Sequence, residues 1–253
     1  MPVLSSVSKA LTLLDAFTAE SPELTLSELA RRAGVHKSSA YRLLSTLEAH
    51  GFVERGPAGR GYRLGWKPAE LAGRLRSELR ELAAPVMEEL AAKSGEIVHL
   101  SVLDGAEIVY LDKRGRSQPL TVSTTIGGRS PAHASAMGKA LLSGLSDQDA
   151  ERLLGSRRLQ RFTPTTITDR RRLTRELEEI RRQGYAQDDE ETFPGIRCVA
   201  APLQDGEGRV LAAISVTAPT QRMGVRRQAE IRKWVTDTAA RISARIRVGG
   251  IYR

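Results

Sequence analysis

Residues 24–51 carry the helix start and stop signals of two short helices joined by a tight turn. Thr25 and Glu28 have the spacing of a capping box, in which each side chain bonds a backbone amide that the helix start leaves free. Gly34 can take the left-handed conformation that ends this first helix. A second helix is predicted over residues 35–50, because its apolar residues share one face: Val35, Ala40, Leu43, Leu44 and Leu47. The arrangement predicts a helix-turn-helix unit, whose second helix typically lies in the major groove of DNA.

A hairpin pattern follows this unit directly. Residues 52–55 and 62–64 alternate in polarity as half-buried strands do, and the glycine-rich stretch 56–61 separates them. A hairpin placed after a recognition helix is typical of a wing, and Arg60 at its tip can reach the DNA backbone or the minor groove. The sequence therefore predicts a winged helix-turn-helix DNA-binding domain over residues 1–67.

Basic residues concentrate in this part of the chain. The whole sequence has 39 Lys and Arg against 30 Asp and Glu, a formal net charge of +9. Such a surplus favours nucleic acid or an acidic membrane surface, although an arginine-rich proteome would produce it too. Between Arg31 and Lys67, eight basic residues accompany two acidic ones, which is a local charge of +6.

Short donors and cations at the start of the recognition helix suit phosphates and base edges. The candidate DNA-contacting residues are Arg31, Lys37, Ser38, Ser39, Tyr41, Arg42 and Arg60. Tyr41 can instead belong to the core. A solvated helical hairpin in an unrelated protein is the alternative to DNA binding.

A long amphipathic helix, predicted over residues 68–94, links this domain to the rest of the chain. Pro85 is expected to break or kink it, and the domain boundary is placed near Arg76. Its leucine stripe makes Leu75 and Leu79 candidates for an interface between subunits or domains.

Residues 95–253 are predicted to form a second, α+β domain. A turn at residues 104–105 joins the first two of its strands. Strands flanked by helices indicate a mostly antiparallel sheet. The predicted strands are 96–103, 108–111, 196–202 and 210–218, and the predicted helices are 134–145, 168–183 and 225–246.

Several protein classes are disfavoured by what the sequence lacks. Cys198 is the single cysteine, so an internal disulfide framework or a cysteine-based zinc site is not expected. The amino terminus has no secretion-signal pattern, and no apolar run approaches the ~18 residues that span a bilayer. Gly138-Lys139 does not fit a phosphate-binding loop, because His133 and Ala140 stand where that motif needs Gly and Ser/Thr. We expect a cytoplasmic protein without cofactor, metal or membrane partner.

Five segments in order resemble the IclR family of transcription regulators, over essentially the full chain. They are residues 31–44, 133–140, 184–191, 195–202 and 213–217. The resemblance implies a GAF-like effector-binding domain, a homodimer or a dimer of dimers, and a palindromic operator in double-stranded DNA. It also implies a regulator, more often a repressor, whose operator binding responds to a small organic acid or similar metabolite.

A candidate effector site follows in part from the residues themselves. Ser215 and Thr217 lie two apart on a strand, so both hydroxyls face one side. The helix that starts at residues 134–137 offers free backbone amides to an anion, so a small carboxylate would suit the site. In similar family members the pocket uses the positions that match Val122, Ala136, Met137, Asp188, Ile196, Cys198, Ser215 and Thr217.

Two of these positions constrain the effector. Asp188 would repel a carboxylate unless it bonds to an effector hydroxyl or takes up a proton. Thr217 stands where serine is common in the family, which retains the hydroxyl but narrows the pocket. Cys198 lies in an apolar strand, where a small buried hydrophobe is a commoner role than a nucleophile.

Two rival functions remain at this point. An enzyme could use the carboxylates at 188–191 as an acid/base pair or metal cluster, but adjacent carboxylates on a loop are usually solvated and no His or Cys ligands accompany them. An architectural DNA-binding protein would need no effector, but the size of the second domain argues against it. The sequence therefore favours a non-enzymatic regulator.

Overall fold

The chain folds into two compact units, Met1–Arg76 and Ser77–Arg253. The computed structural model describes residues 3–18, 20–57, 59, 61–74, 78–115 and 124–249. The division falls within the predicted linker, and the three-part division into 1–67, 68–94 and 95–253 stays a prediction. The two units are described separately.

The first unit packs helices against a three-stranded antiparallel sheet. It contains α1 (Ser5–Asp15), β1 (Glu23–Leu24), α2 (Leu26–Arg32), α3 (Lys37–Ala49), β2 (Val53–Arg55), β3 (Tyr62–Leu64) and α4 (Lys67–Arg74). The strand order is β1-β3-β2. Its core is formed by Leu13, Leu24, Leu29, Ala30, Ala40, Leu44, Val53 and Tyr62.

The predicted helix-turn-helix and wing are confirmed. The Thr25 hydroxyl accepts from the Glu28 N–H at 3.3 Å, and Glu28 Oε2 accepts from the Thr25 N–H at 2.8 Å. Gly34 adopts a positive φ of 63° after α2. The recognition helix α3 begins later than predicted, because His36 is its N-cap and accepts from the Ser38 N–H. The short strand β1 was not predicted, since only its pairing with β3 makes it a strand.

The second unit is built on a six-stranded antiparallel sheet of order β6-β5-β4-β9-β8-β7. This confirms the predicted α+β class. In chain order the elements are α5 (Glu78–Ser94), β4 (Ile97–Asp104), β5 (Glu107–Arg114), β6 (Arg129–Pro131), α6 (Ala136–Leu142), α7 (Asp147–Leu154), α8 (Arg170–Gln183), β7 (Ala186–Asp189), β8 (Ile196–Gln204), β9 (Val210–Pro219) and α9 (Val225–Gly249).

Helices cover both faces of this sheet, and each face has its own apolar cluster. α5 and α9 pack on one face, and α6, α7 and α8 pack on the other. Neighbouring residues of β9 serve opposite faces: Ala213 belongs to the cluster of α6, and Ile214 to that of α9. This alternation follows from the two-residue period of a strand. The side of α6 is where the polar strand residues gather.

Several local predictions were wrong. Pro85 lies inside α5 without ending it, so the predicted break is wrong, while a kink stays a prediction. A proline removes one helical hydrogen bond, and the buried Val86 and Met87 that follow it anchor the helix to the sheet. The first hairpin turns at Gly105–Ala106 rather than 104–105, because Asp104 pairs with Glu107. The helix α7 and the strands β6 and β7 were not predicted.

Of the two leucines predicted as interface positions in the linker, one lies within the described residues. Leu75 lies outside the described residues, as does the rest of the junction between α4 and α5. Leu79 is fully buried in the core of the second unit. It is therefore a core residue of its own subunit and is unavailable to a partner, because its apolar surface already contacts α9 and the sheet.

Each unit carries one of the two tryptophans. Trp66 stands between β3 and α4 with 82% of its surface exposed. Trp234 on α9 is half-buried, and the charged ends of Lys93 and Arg227 each lie 4.8 Å from its ring centre. Among the described residues, no helix is long and apolar enough to cross a membrane.

Candidate ligand cavity and nucleic-acid interface

The predicted DNA-contacting residues within the described ranges are all exposed. They are Arg31, Lys37, Ser38, Ser39, Tyr41 and Arg42. Half of the Tyr41 surface (51%) is open to solvent, so the alternative that Tyr41 is a core residue is wrong. Arg60 lies outside the described residues. Lys37 and Arg42 make no ion pair within the described part of the chain, which leaves both cations available to phosphates.

Other basic residues of this unit have structural partners. Arg32 donates to the Ala16 carbonyl at 2.9 Å. Arg63 pairs with Glu54 at 2.6 Å, and Arg55 lies over the Tyr62 ring at 4.2 Å. The local charge of +6 therefore overstates the cations that are free for DNA.

A surface cleft extends the recognition helix toward α1. Ser39, Arg42, Leu43 and Thr46 of α3 line it together with Ser5, Ser6 and Lys9 of α1. The sequence analysis did not assign these α1 residues to DNA binding. Their serines and lysine make the basic surface wider than α3 alone.

Seven of the eight predicted effector positions line one cavity in the second unit. They are Ala136, Met137, Asp188, Ile196, Cys198, Ser215 and Thr217. The eighth, Val122, lies outside the described residues. The cavity has a volume of about 400 Å³, part of it open to solvent. Its other lining residues are His99, Tyr110, Thr124, Ser130, Ser135, Thr192 and Phe193. Of these, the sequence pointed to Ser135 as part of the helix start at residues 134–137, and it did not point to the rest.

The strands β4, β8 and β9 place hydroxyl and thiol groups side by side on the cavity wall. Thr217 pairs with Cys198 across the sheet, and its Oγ1 lies 3.2 Å from the Cys198 Sγ. Ser215 pairs with His99 on the other neighbouring strand. The Ser215 hydroxyl is buried and has no hydrogen-bond partner among the described residues. A buried hydroxyl without a partner is costly, so it marks a place where a ligand can bond.

The start of α6 forms the opposite side of the cavity. Its N-cap Ser135 accepts from the Gly138 N–H at 3.1 Å, and the amides of Ala136 and Met137 precede the first helical hydrogen bond. Gly138 allows the backbone of α6 to lie close to Ala132, because a Cβ on residue 138 would lie 2.2 Å from the Ala132 carbonyl oxygen. Ala136 and Met137 of this first turn line the same cavity as Ser215 and Thr217 of the sheet.

Asp188 on the edge strand β7 is the acidic group of the cavity. Its carboxyl is buried, and its Oδ1 accepts from the Glu191 N–H at 2.6 Å. Burial raises the pKa of Asp188 to about 7, and the neighbouring Glu191 carboxylate adds to the rise. At neutral pH the carboxyl is therefore close to the midpoint between a hydrogen-bond donor and an anion.

His99 contributes a neutral imidazole. Burial, with a smaller contribution from Lys113, lowers the pKa of His99 to about 3. Its Nε2 lies 2.8 Å from Thr124 Oγ1, and its Nδ1 lies 3.4 Å from Thr217 Oγ1. The signal available in the sequence was a polar residue inside the otherwise apolar run 97–100.

Two kinds of chemistry find little support in this geometry. Burial raises the pKa of the Cys198 thiol, so it is protonated at neutral pH and is a poor nucleophile. Within the described residues, no three His, Cys, Asp or Glu side chains are grouped as metal ligands. The cavity wall offers both hydrogen-bonding and apolar groups.

Comparison with known proteins identifies the family. The model of the IclR helix-turn-helix domain matches residues 6–57, and that of the bacterial transcriptional regulator IclR C-terminal domain matches residues 75–244. The chain belongs to the IclR family. It is thus a DNA-binding transcription regulator, as the resemblance of its sequence motifs implied.

IclR-family relatives align with nearly all of the chain. The HTH-type transcriptional regulator XynR of Escherichia coli is 37% identical over 227 residues, covering 88% of this chain and 89% of the relative. The transcriptional repressor IclR of Escherichia coli is 33% identical, with 95% and 89% covered. An IclR homolog from Microbacterium hydrocarbonoxydans, crystallised with 4-hydroxybenzoate, is 30% identical with a TM-score of 0.86, covering 96% of this chain and 100% of that one.

Proposed function

We propose that this regulator binds a small carboxylic acid in the cavity between α6 and the sheet, and that the bound acid changes its affinity for operator DNA. The observation that carries the proposal is the buried Ser215 hydroxyl, which has no partner among the described residues and lines the same cavity as Ala136 and Met137 of the first turn of α6. The relative crystallised with 4-hydroxybenzoate supports an acid of this kind.

A carboxylate fits these donors because it only accepts hydrogen bonds. One oxygen would take the Ser215 hydroxyl and the other the amides of α6, with Thr217 at the side. The apolar residues Met137 and Ile196 would cover the body of the acid. Asp188, in its protonated form, would donate to the acid rather than repel it.

On the DNA side, the proposed contacts are the exposed residues of α3 together with Arg31 and the wing residue Arg60. A single recognition helix reads too few base pairs for useful discrimination, so two are needed. We therefore propose a homodimer, or a dimer of dimers, on a palindromic operator. Repression is the favoured direction because several relatives are named repressors.

We further infer that the protein acts by binding rather than catalysis, in the cytoplasm where its DNA target is. The carboxylates at 189–191 support this inference through their internal partners. Asp189 pairs with Arg197 at 2.5 Å, Glu190 accepts from the Gly195 N–H, and Glu191 pairs with Lys139. Carboxylates held in this way are poorly placed to exchange protons with a substrate.

The effect on DNA requires that the acid bind one arrangement of the two units better than another. Couplings of this kind are typically ~1–3 kcal/mol, which would change operator affinity roughly 5–150-fold. The covalent connection between the units runs through residues 68–94, the segment predicted as the linker.

The proposal is tested by thermal shift with a panel of aliphatic, sugar-derived and aromatic carboxylic acids that includes 4-hydroxybenzoate. An acid that stabilises the protein is then tested on Ser215→Ala with Thr217→Val, which removes both hydroxyls with little change in volume. We expect the double variant to lose the thermal shift and the response of DNA binding. Its DNA affinity without acid should stay unchanged.

Ser143→Ala is the matched control. Ser143 is a buried serine just beyond α6, and its hydroxyl donates to the Ala140 carbonyl at 2.8 Å, away from the cavity. This variant should respond to the acid as the native protein does. An unchanged acid response in the double variant would place the effector site elsewhere.

A further inference from the structure

Lys139 lies in the middle of α6 without contact with solvent. Its side chain is buried, and its ammonium nitrogen lies 2.5 Å from Glu191 Oε1 and 3.2 Å from Glu176 Oε1. An unpaired ammonium in a protein interior is strongly destabilising, so these carboxylates are what permit it there. Through them, Lys139 joins α6 to α8 and to the loop between β7 and β8.

The same loop carries part of the cavity wall. The Glu191 N–H donates to Asp188 Oδ1, and the Thr192 hydroxyl donates to the Ala134 carbonyl at 3.1 Å. Thr192 and Phe193 both line the cavity. The position of the Asp188 carboxyl therefore depends on Glu191, a residue whose own side chain points away to an ammonium.

Around Lys139, buried carboxyl groups outnumber buried ammonium groups among the described residues. Asp188 and Glu191 are both buried, whereas the side chain of Glu176 is 36% exposed. Lys139 is the one buried ammonium that faces them within the described residues. Glu191 Oε2 is buried without a hydrogen-bond partner. Two carboxylates beside one ammonium leave a net negative charge in a medium of low dielectric constant, which favours protonation of one of them.

The remaining neighbours of Asp188 do not compensate that charge. Burial raises the pKa of Tyr110 on β5 to about 12, and it raises the pKa of the Cys198 thiol on β8. Both groups are therefore neutral near pH 7. The charges that act on Asp188 are those of Glu191 and Lys139, with Glu176 beyond them. Burial raises the pKa of Glu191 as well, but the contact of its Oε1 with the Lys139 ammonium opposes that rise, so Asp188 is the group to which the proton is assigned.

We propose that Glu191, itself held in place by Lys139, is a positioning residue that keeps Asp188 protonated in the cavity wall, so that an anionic effector is bound together with one proton. The first half of the proposal concerns the protein alone. The second half rests on the proposed function, because it requires that the effector occupy this cavity.

The protonation state of Asp188 decides whether its interaction with a bound acid is attractive or repulsive. A neutral Asp188 donates its O–H to the acid, whereas an ionised Asp188 repels it. Affinity for a carboxylate should therefore fall as pH rises through the Asp188 midpoint. Neither Lys139 nor Glu191 needs to touch the effector for this to hold.

The first experiment needs no effector. The ionisation of Asp188 is followed by carbon-13 NMR of its carboxyl in the full-length protein, with Asp188→Asn to assign the signal. We expect a midpoint near neutral pH in the native protein. Glu191→Gln keeps the shape and the backbone N–H but removes the negative charge, so it should lower the midpoint by about one pH unit or more.

Glu176→Gln is the control for this shift. It also removes a partner of Lys139, but on the solvent side and without contact with Asp188, so the midpoint should move little. Should Glu191→Gln fail to fold, Lys139→Met with Glu191→Gln removes both charges, and the Asp188 midpoint should then fall below the native one, because the Glu191 carboxylate raises it more than the ammonium lowers it. A native midpoint below pH 5, or one that Glu191→Gln leaves in place, would overturn the proposal.

The second experiment measures proton uptake on binding of 4-hydroxybenzoate. Calorimetric titrations at pH 8 in two buffers of different ionisation enthalpy should give an uptake approaching one proton, and Asp188→Asn should give none. Zero uptake with intact binding would overturn the coupling. Absence of binding by this acid and by the rest of the acid panel would count against the proposed function, while the NMR titration would still decide the state of Asp188.

Discussion

At the scale of single residues, two equally buried serine hydroxyls differ in whether they have a hydrogen-bond partner. Ser215 and Ser243 are both buried serines. The Ser243 hydroxyl accepts from the Gln204 N–H at 2.9 Å, whereas the Ser215 hydroxyl has no partner within the described residues. Removal of each hydroxyl should therefore have opposite effects on stability.

Ser215→Ala should leave the free energy of unfolding unchanged or raise it by about 1 kcal/mol, because an unsatisfied buried hydroxyl is removed. Ser243→Ala should lower it by about 1–2 kcal/mol, because the Gln204 amide is left without a partner. Urea denaturation of the two variants measures both. Equal losses in the two would mean that the Ser215 hydroxyl is satisfied in the absence of an effector.

Asp188 makes stability depend on pH. Its pKa is raised from 3.8 to about 7, so the folded state binds a proton more tightly than the unfolded state. The associated stabilisation is complete below pH 3.8 and is lost as pH rises through about 7. Asp188→Asn should therefore gain stability relative to the native protein between pH 4 and pH 8, by a few kcal/mol as an order of magnitude. Denaturation at both pH values checks this, and a pH-independent difference would contradict it.

At the scale of elements, the sequence predicts well where local chemistry decides and poorly where pairing decides. The start of α2 was predictable because Thr25 and Glu28, three residues apart, each accept a hydrogen bond from the backbone N–H of the other. The strand β7, Ala186–Asp189, has neither alternation nor β-branched residues, and it is extended because it pairs with β8. Placing Asp188 on that sheet edge therefore required the tertiary structure.

The candidate site divides in the same way. Ser215 and Thr217 were predictable from their two-residue spacing on one strand. The start of α6 was predictable from Gly127, Gly128 and Pro131, which precede it. Phe193 was not, because it reaches the cavity from the loop between β7 and β8. A loop residue has no periodicity from which its direction can be predicted.

The placement of α6 depends on Gly138. A Cβ at this position would meet the Ala132 backbone at 2.2 Å, so Gly138→Ala must displace the helix. We expect a loss of about 1–3 kcal/mol in unfolding free energy and weaker binding of any acid that uses the α6 amides. Gly224→Ala is the control, because a Cβ there meets nothing within 4 Å. Equal stability of the two variants would show that α6 tolerates the displacement.

At the scale of the whole molecule, two functions are carried by two separate folding units. The first presents exposed basic and hydroxyl groups on α3, and the second encloses a cavity between α6 and the sheet. None of the proposed DNA-contacting residues belongs to the second unit, so substituting them should leave effector binding by the free protein intact. This separation allows DNA affinity and effector affinity to be varied independently.

Arg42→Ala and Lys37→Ala should each weaken operator binding. If the lost contact is to a phosphate, the slope of log affinity against log salt should fall by about one. Mobility-shift titrations at several salt concentrations measure both quantities. Arg226→Ala, which removes an exposed arginine of the second unit that pairs with Glu230, is the matched control. If its affinity falls as much as that of Arg42→Ala, the effect is one of net charge.

The two tryptophans give each unit its own optical reporter. Trp66 is open to water, so its fluorescence should be red-shifted and readily quenched by iodide. Trp234 is partly enclosed, with Lys93 and Arg227 beside its ring, so its emission should lie at shorter wavelength and respond differently to the quencher. A Trp66→Phe variant isolates the signal of the second unit, and a Trp234→Phe variant that of the first. Time courses of tryptophan emission from these two variants can therefore report, without a label, which half of the molecule changes first when DNA or an acid is added.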